Sequence, residues 1–368
     1  MYYITFLFLA LCAYIEITKG WTKRSIGTLL ILCIVWFILH DGLRWGIGSD
    51  WTPYYKYFQN CLMSDNRTGF ELGYALMNKF VRCFTDSYTV YLLLHAIVVY
   101  SVFYWFTKKY SPYPLMSLLV LYYSMIGYLG MNRQYLALIV CLLSVPFILR
   151  HKYMVSIVII AFACLFHISA LMFVPLLFFT RRIPSQIIWF SLLIISLVSI
   201  SGVINKLPFE MLFVASDDLD HKMSFYIENT SDFTSSIPSK LLGIARRGII
   251  VFSVLLLRNR IPSVDKSFDF VFNVSFLSLL LYIFCSGTVL QILVSRGVLF
   301  YSIFEVLLIP YLIRMLNSVK AKQIAFCFLI IWGLYSMNKS MDAYSYLGVD
   351  IFRPYNAVYI DSEYVALH

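Results

Sequence analysis

The run "YMVSIVIIAFACLFHISALMFVPLLFF", residues 153–179, decides how this chain threads its surroundings. It carries no Asp, Glu, Lys or Arg, and its one titrating break in the apolar pattern is His167. A membrane-crossing helix needs about 20 mostly apolar residues. The run is long for one crossing, and each half, about 13 residues, is short for a full one. Either it crosses once, or it enters, turns near "FHIS" (166–169) and returns.

The flanking charges favour the return. Lys and Arg in short loops mark the cytoplasmic side of a membrane protein. Lys19, Lys23 and Arg24 put the first connection inside, so the loop 41–87 lies outside, and Lys108, Lys109, Arg150 and Lys152 fall inside. A single crossing at 153–179 would then throw Arg181, Arg182 and "RNR" (258–260) outside. A hairpin keeps both clusters inside, together with Arg314, Lys320 and Lys322.

Similar apolar runs fill the chain: 2–18, 24–40, 88–106, 115–130, 135–149, 186–203, 241–257, 269–285, 297–313 and 321–336. Of 368 residues 61% are hydrophobic and only 13% charged, with a mean hydropathy of +0.79. A soluble domain could not bury that much apolar surface, and a β-barrel would need short alternating strands. The expected fold is all-α and polytopic, with about 10–12 transmembrane helices, one of them broken or re-entrant near 153–179. It forms a single transmembrane unit over 1–368, with outer loops 41–87 and 204–240 and an outer tail 337–368. The net charge of +10 comes largely from inside anchors, so it gives no reason to expect nucleic acid. The eight cysteines form no CxxC pair; Cys61 and Cys83, both in the first outer loop, are either a disulfide or two thiols.

This threading sorts the acids without having used them: fifteen of the 19 acidic residues fall outside. The outer face also carries four arginine sites, Arg44, Arg133, the pair Arg246–Arg247, and Arg296. Arginine is disfavoured there and costs several kcal/mol to desolvate unless paired. Each could pair with a nearby acid or a lipid phosphate, but together they suit a shared anionic ligand. A guanidinium fork matches phosphate oxygens bidentately, which makes a pyrophosphate the natural choice.

The opening loop, "DGLRWGIGSDWTPYYKYF" (41–58), crowds Trp45, Trp51, Tyr54, Tyr55 and Tyr57 around Asp41, Asp50 and three glycines. Tyr344, Tyr346, Tyr355, Tyr359 and Tyr364 crowd the tail. Interfacial belts use such residues, yet rings beside acids also suit sugars. Arg44 and Asp50 could meet across Gly46-Ile47-Gly48, as a salt bridge or as part of a ligand pocket. Residues 69–84, "GFELGYALMNKFVRCF", put Glu71, Asn78 and Arg82 on one helical face and Leu72, Leu76 and Phe80 on another. That is the pattern of an amphipathic helix on the outer interface. Glu71 is then a helix cap or a general base, with His167 the other base candidate or a packing residue.

"LRWGIGSDWTPYYKYF" (43–58), "GFELGY" (69–74), "NRQYLALIV" (132–140) and "FHISALMFVPL" (166–176) resemble, in order and spacing, the EpsG family of exopolysaccharide proteins, which includes Wzy-type O-antigen polymerases. A weaker echo lies at 295–312, and Asp50-Trp51 stands where the family has an aspartate–aromatic pair. The resemblance implies a metal-independent glycosyltransferase of the bacterial inner membrane, with its active site facing the periplasm. It would transfer an undecaprenyl-pyrophosphate-linked glycan onto a second lipid-linked repeat. Glu71, His167 and Asp50 would be the catalytic candidates, and Arg44, Arg133, Arg246, Arg296, Trp45, Trp51 and Tyr54 would bind substrate. No cofactor is implied; the bilayer is a partner, and a chain-length regulator protein is an open one. The Asp217-Asp218-Leu219-Asp220 run reads as a solvated loop rather than a metal motif. An O-antigen ligase would carry a larger late outer loop, and a flippase a polar path through the whole bilayer.

Overall fold

The structure is a computed structural model that describes residues 1–18, 20–63, 70–206, 237–261, 265–288, 290–291, 293–343 and 350–360. The 217–220 run and Tyr344, Tyr346 and Tyr364 lie outside them. Among the described residues the chain forms 14 α-helices and no strand. These are α1 Tyr2–Thr18, α2 Lys23–Gly42, α3 Trp51–Asn60, α4 Leu72–Arg82, α5 Tyr88–Tyr110, α6 Pro114–Met125, α7 Asn132–Leu149, α8 Tyr153–Cys164, α9 Ser185–Ser201, α10 Ile237–Leu257, α11 Lys266–Cys285, α12 Leu299–Ser302, α13 Glu305–Met315 and α14 Val319–Asp342. Among the described residues five of them, α2, α5, α7, α11 and α14, are long and apolar enough to cross a membrane. The chain is an all-α polytopic membrane protein; the predicted apolar runs are helical, except that 153–179 is broken and 297–313 is divided between α12 and α13.

Two compact units are formed: Met1–Val174 with Ile309–His368, and Pro175–Leu308. Helix starts in the first unit are fixed by side chains. Thr22 accepts from the Ser25 N–H at 3.1 Å, and Ser318 from the Ala321 N–H at 3.1 Å. Glu16, an acid inside an apolar run, accepts from the Met116 N–H at 3.0 Å and so satisfies the first turn of α6, where orphan N–H groups and the helix dipole favour a carboxylate.

The run 153–179 is broken as expected. α8 stops at Cys164, and after a turn at 165–167 a 3₁₀-helix covers Ile168–Phe178. The Leu165 carbonyl accepts from the Gly73 N–H at 2.7 Å, beside the α7 end that carries Arg133. Five residues on, the Ala170 carbonyl lies 4.0 Å from Cys141 Sγ. Cys141 is nine residues along α7 from Asn132, about 14 Å down the helix. The chain has therefore turned back into the unit, as a hairpin does. In the second unit Arg182 donates to Asn259 at 2.9 Å, and Arg258 to the Ser185 hydroxyl at 2.6 Å. The two basic clusters that a hairpin keeps together are in contact.

α4 follows the amphipathic pattern. Tyr74, Ala75, Asn78 and Val81 are buried, while Leu72, Leu76 and Phe80 point outward, as suits a helix lying in a lipid interface. Cys61 is buried, Cys83 is exposed, and no disulfide joins them.

Candidate functional site

The site lies in the first unit, where the opening loop, the start of α4 and the start of α7 converge. Two glycines allow the convergence. Gly48 (φ +112°) and Gly130 (φ +104°) lie in the region closed to most side chains. A Cβ on Gly48 would stand 2.6 Å from the Leu129 carbonyl oxygen, and one on Gly130 2.9 Å from the Ser49 nitrogen. The Ser49 N–H donates to that Leu129 carbonyl at 3.3 Å. The loop before α3 is thus pressed onto the turn before α7. The tail covers its other side: the Trp45 N–H donates to Asn356 O at 3.2 Å and the Val358 N–H to Leu43 O at 3.0 Å.

Arg44 holds this assembly from within. It is 1% exposed and ion-paired to Asp41. Its Nη1 donates to the Asp41 carbonyl (2.9 Å), Nε to the Ile47 carbonyl (3.3 Å) and Nη2 to Asn132 Oδ1 (2.9 Å). The sequence offered Asp50 either as its salt-bridge partner or as its neighbour in a ligand pocket. The partner is instead Asp41, which stands one helical turn away at the end of α2, while Asp50 starts α3 and faces another group. Trp45 and Trp51 do pack there, 5.4 Å apart edge to face, with the Arg44 guanidinium 5.9 Å from the Trp51 ring. At 9% and 4% exposure the two indoles are packing beneath the loop, closed in by Tyr55 and Tyr88.

Four expected site residues meet in one chain of hydrogen bonds. Arg133 Nη1 pairs with Glu71 Oε2 at 2.6 Å. Arg133 Nε donates to the Tyr54 hydroxyl at 3.1 Å, which in turn donates to Asp50 Oδ2 at 3.3 Å. The Phe70 ring lies against the guanidinium, 4.7 Å from its centroid. Arg133 and Glu71 are 18% and 23% exposed, so a ligand can reach this pair and not Arg44. Glu71 sits at the N-cap of α4 but makes no capping hydrogen bond; its carboxylate turns to Arg133 instead.

The "GFELGY" motif becomes legible residue by residue. Phe70 stacks on Arg133, Glu71 pairs with it, and Gly73 lets α4 touch the break after α8. A Cβ on Gly73 would stand 2.8 Å from the Leu165 carbonyl oxygen. Tyr74 is buried against Tyr54, 5.3 Å between ring centroids, and burial pushes its phenol well above the ordinary value, so it stays neutral.

The Gly73–Leu165 contact also brings the His167 turn to the start of α4. His167 Nδ1 accepts from the Ser169 N–H at 3.2 Å, with the Ser169 hydroxyl 2.6 Å away. A backbone N–H only donates, so Nδ1 holds a lone pair and the neutral ring carries its proton on Nε2. Of the two ring nitrogens Nε2 is then the donor, a role that suits an oxygen acceptor better than it suits proton abstraction.

The family model for EpsG matches residues 27–356. The chain belongs to the EpsG family. EpsG is a family of Wzy-like polymerases, so this is a polysaccharide polymerase-type membrane protein of glycosyltransferase-like character. No curated protein and no solved structure matches the chain. The family match reaches past the helices to Asn356, the tail residue that bonds to the opening loop.

Two of the expected arginines in this EpsG-family chain belong to the second unit. Arg246 Nη2 pairs with Glu305 at 2.8 Å, the carboxylate being 7% exposed. Its neighbour Arg247 lies 4.2 Å over the Tyr282 ring. Arg296 is half-buried in a π-helical turn, Leu293–Gly297, a geometry frequent at functional sites.

Sequence reasoning missed Asp41, Phe70, Asn132 and Glu305 as partners. Asn132 is the hub: besides Arg44 it reaches the Tyr88 hydroxyl at 3.4 Å, and its carbonyl contacts His95 Nε2 at 3.1 Å. Its place directly before Arg133 was the one available signal.

Proposed function

We propose that this chain polymerises a lipid-linked polysaccharide at the periplasmic face of the bacterial inner membrane. The donor is a glycan on undecaprenyl pyrophosphate, and the acceptor is a sugar hydroxyl on a second lipid-linked repeat. The acceptor oxygen attacks the anomeric carbon while the bond from that carbon to the pyrophosphate oxygen breaks. The bonding electrons leave on the pyrophosphate, and the hydroxyl proton passes to Glu71. The products are a longer lipid-linked glycan and free undecaprenyl pyrophosphate.

The observation that carries this proposal is the reachable Glu71–Arg133–Tyr54–Asp50 constellation. It joins a carboxylate that can accept a proton to a guanidinium that can hold a pyrophosphate. Asp50 orients Tyr54, and Tyr54 orients Arg133. His167 donates Nε2–H to a sugar or phosphate oxygen. Arg44, buried and engaged on both sides of the loop, positions α7 rather than touching substrate. Trp45 and Trp51 support the loop from below, which leaves the more exposed Tyr55 and Phe70 for sugar contact. In the second unit Arg246 and Arg296 are proposed as phosphate ligands for a lipid-linked substrate. Arginine, not a metal ion, neutralises the leaving group, and a chain-length regulator protein is a proposed partner.

A deletion strain tests the class of activity. Loss of a polymerase leaves single repeats attached to their final acceptor. Absence of any attached repeat would identify a ligase, and repeats stranded on the cytoplasmic side a flippase; either pattern overturns the proposal.

A further inference from the structure

Arg133 is held in two independent ways. Its Nε bonds to Tyr54 (3.1 Å) and its flat face lies on Phe70 (4.7 Å); neither contact involves Glu71. Glu71 holds only Nη1, at 2.6 Å. The outer edge of the guanidinium can therefore change partners while its inner edge stays anchored. Glu71 is anchored separately too, because the Gly73 N–H to Leu165 O bond (2.7 Å) and buried Tyr74 pin the start of α4. Two rigid mounts carry one exchangeable ion pair.

In this state Glu71 Oε2 is occupied by Arg133 and is not open to an acceptor hydroxyl. A pyrophosphate carries more negative charge than a carboxylate and offers paired oxygens to the guanidinium fork. We propose that the donor's pyrophosphate displaces Glu71 from Arg133, and that this exchange is what arms Glu71 as the base. A carboxylate that has lost its counter-charge and gained an anionic neighbour binds a proton more readily. Substrate order follows: the donor loads first, and an acceptor hydroxyl is activated only once a leaving group is in place. An acceptor arriving alone meets a neutralised pair. This rests on the proposed polymerase chemistry and adds its control.

The test uses full-length protein in nanodiscs, with farnesyl pyrophosphate as the probe and inorganic pyrophosphate as the tail-free comparison. Glu71→Gln removes the internal competitor and keeps the side-chain shape. It is expected to bind the probe about tenfold more tightly than wild type, equivalent to about 1.4 kcal/mol, while polymer formation falls about a hundredfold or more. Arg133→Gln is expected to lose binding. Tighter binding of both probes by Glu71→Gln supports the exchange at the phosphate end. Unchanged or weaker binding by Glu71→Gln, with wild type still binding, overturns the exchange alone. Absence of binding in both wild type and Glu71→Gln removes the site itself and the inference with it. If Glu71→Gln does not fold, Glu71→Asp puts the same question: its shorter carboxylate weakens the pair and should tighten binding about threefold, and unchanged affinity overturns the exchange.

Discussion

Gly73→Ala tests the joint on which the site depends. Gly73 sits in the first turn of α4, where alanine is ordinarily the better helix former by about 0.5–1 kcal/mol. Here the added Cβ would fall 2.8 Å from the Leu165 carbonyl oxygen and 3.0 Å from the Leu165 Cβ. The oxygen is backbone in a turn and cannot swing aside. Overpacking of this kind costs about 1–3 kcal/mol, and pushing α4 away also forfeits the Gly73 N–H to Leu165 O bond, a further 0.5–1.5 kcal/mol or so. The propensity gain offsets less than half of this, so the docked position of α4 loses about 2 kcal/mol, roughly a thirtyfold shift toward the undocked state. Gly27→Ala in α2 is the control, since a Cβ there meets nothing within 4 Å and should be neutral or slightly stabilising. The assay pairs thermal unfolding of the purified protein with polymer length in cells. Gly73→Ala should unfold earlier and shorten the polymer, while Gly27→Ala should do neither. A Gly73→Ala protein as stable as wild type and making full-length polymer would show that the α4–turn contact is incidental.

Arg44→Lys keeps the charge but cannot span Ile47 and Asn132 as the guanidinium fork does; it should lower stability by about 2 kcal/mol, the cost of leaving buried acceptors unpaired, and wild-type unfolding would refute the clamp. Rescue of Arg44→Asp by Asp50→Arg is not expected, because the counter-ion is Asp41. Glu71→Gln should cut polymer formation about a hundredfold or more with folding intact, whereas His167→Gln, which keeps an N–H donor, should retain more activity than His167→Ala; equal loss in the two would refute the donor role. Burial pushes the Cys61 thiol up, so at mildly alkaline pH a membrane-impermeant maleimide should modify exposed Cys83 and spare Cys61. In intact spheroplasts a cysteine at Ser87 should label and one at Asn317 should not; labelling at 317 without lysis would refute the assigned sides.

The sequence alone determined the apolar helices and the break near His167, and it proposed the sides of their loops. These rest on local quantities: the length of an apolar run, the side on which Lys and Arg accumulate, and a polar interruption. The helical repeat likewise showed which face of α4 would be apolar. It also singled out the unusual residues, because an arginine beside an apolar run is conspicuous whatever it touches. What it left undecided was partnership. Arg44 had aspartates available on both sides and took Asp41, while Glu71 reached past its own helix to Arg133, 62 residues away. Trp45 and Trp51 read equally well as a sugar platform or as packing, and the fold buries both of them against Tyr55 and Tyr88. Only the tertiary structure settled these, because partner choice depends on where backbones come close. Here that closeness comes from Gly48 against Gly130 and Gly73 against Leu165, where the absence of a side chain lets distant segments touch.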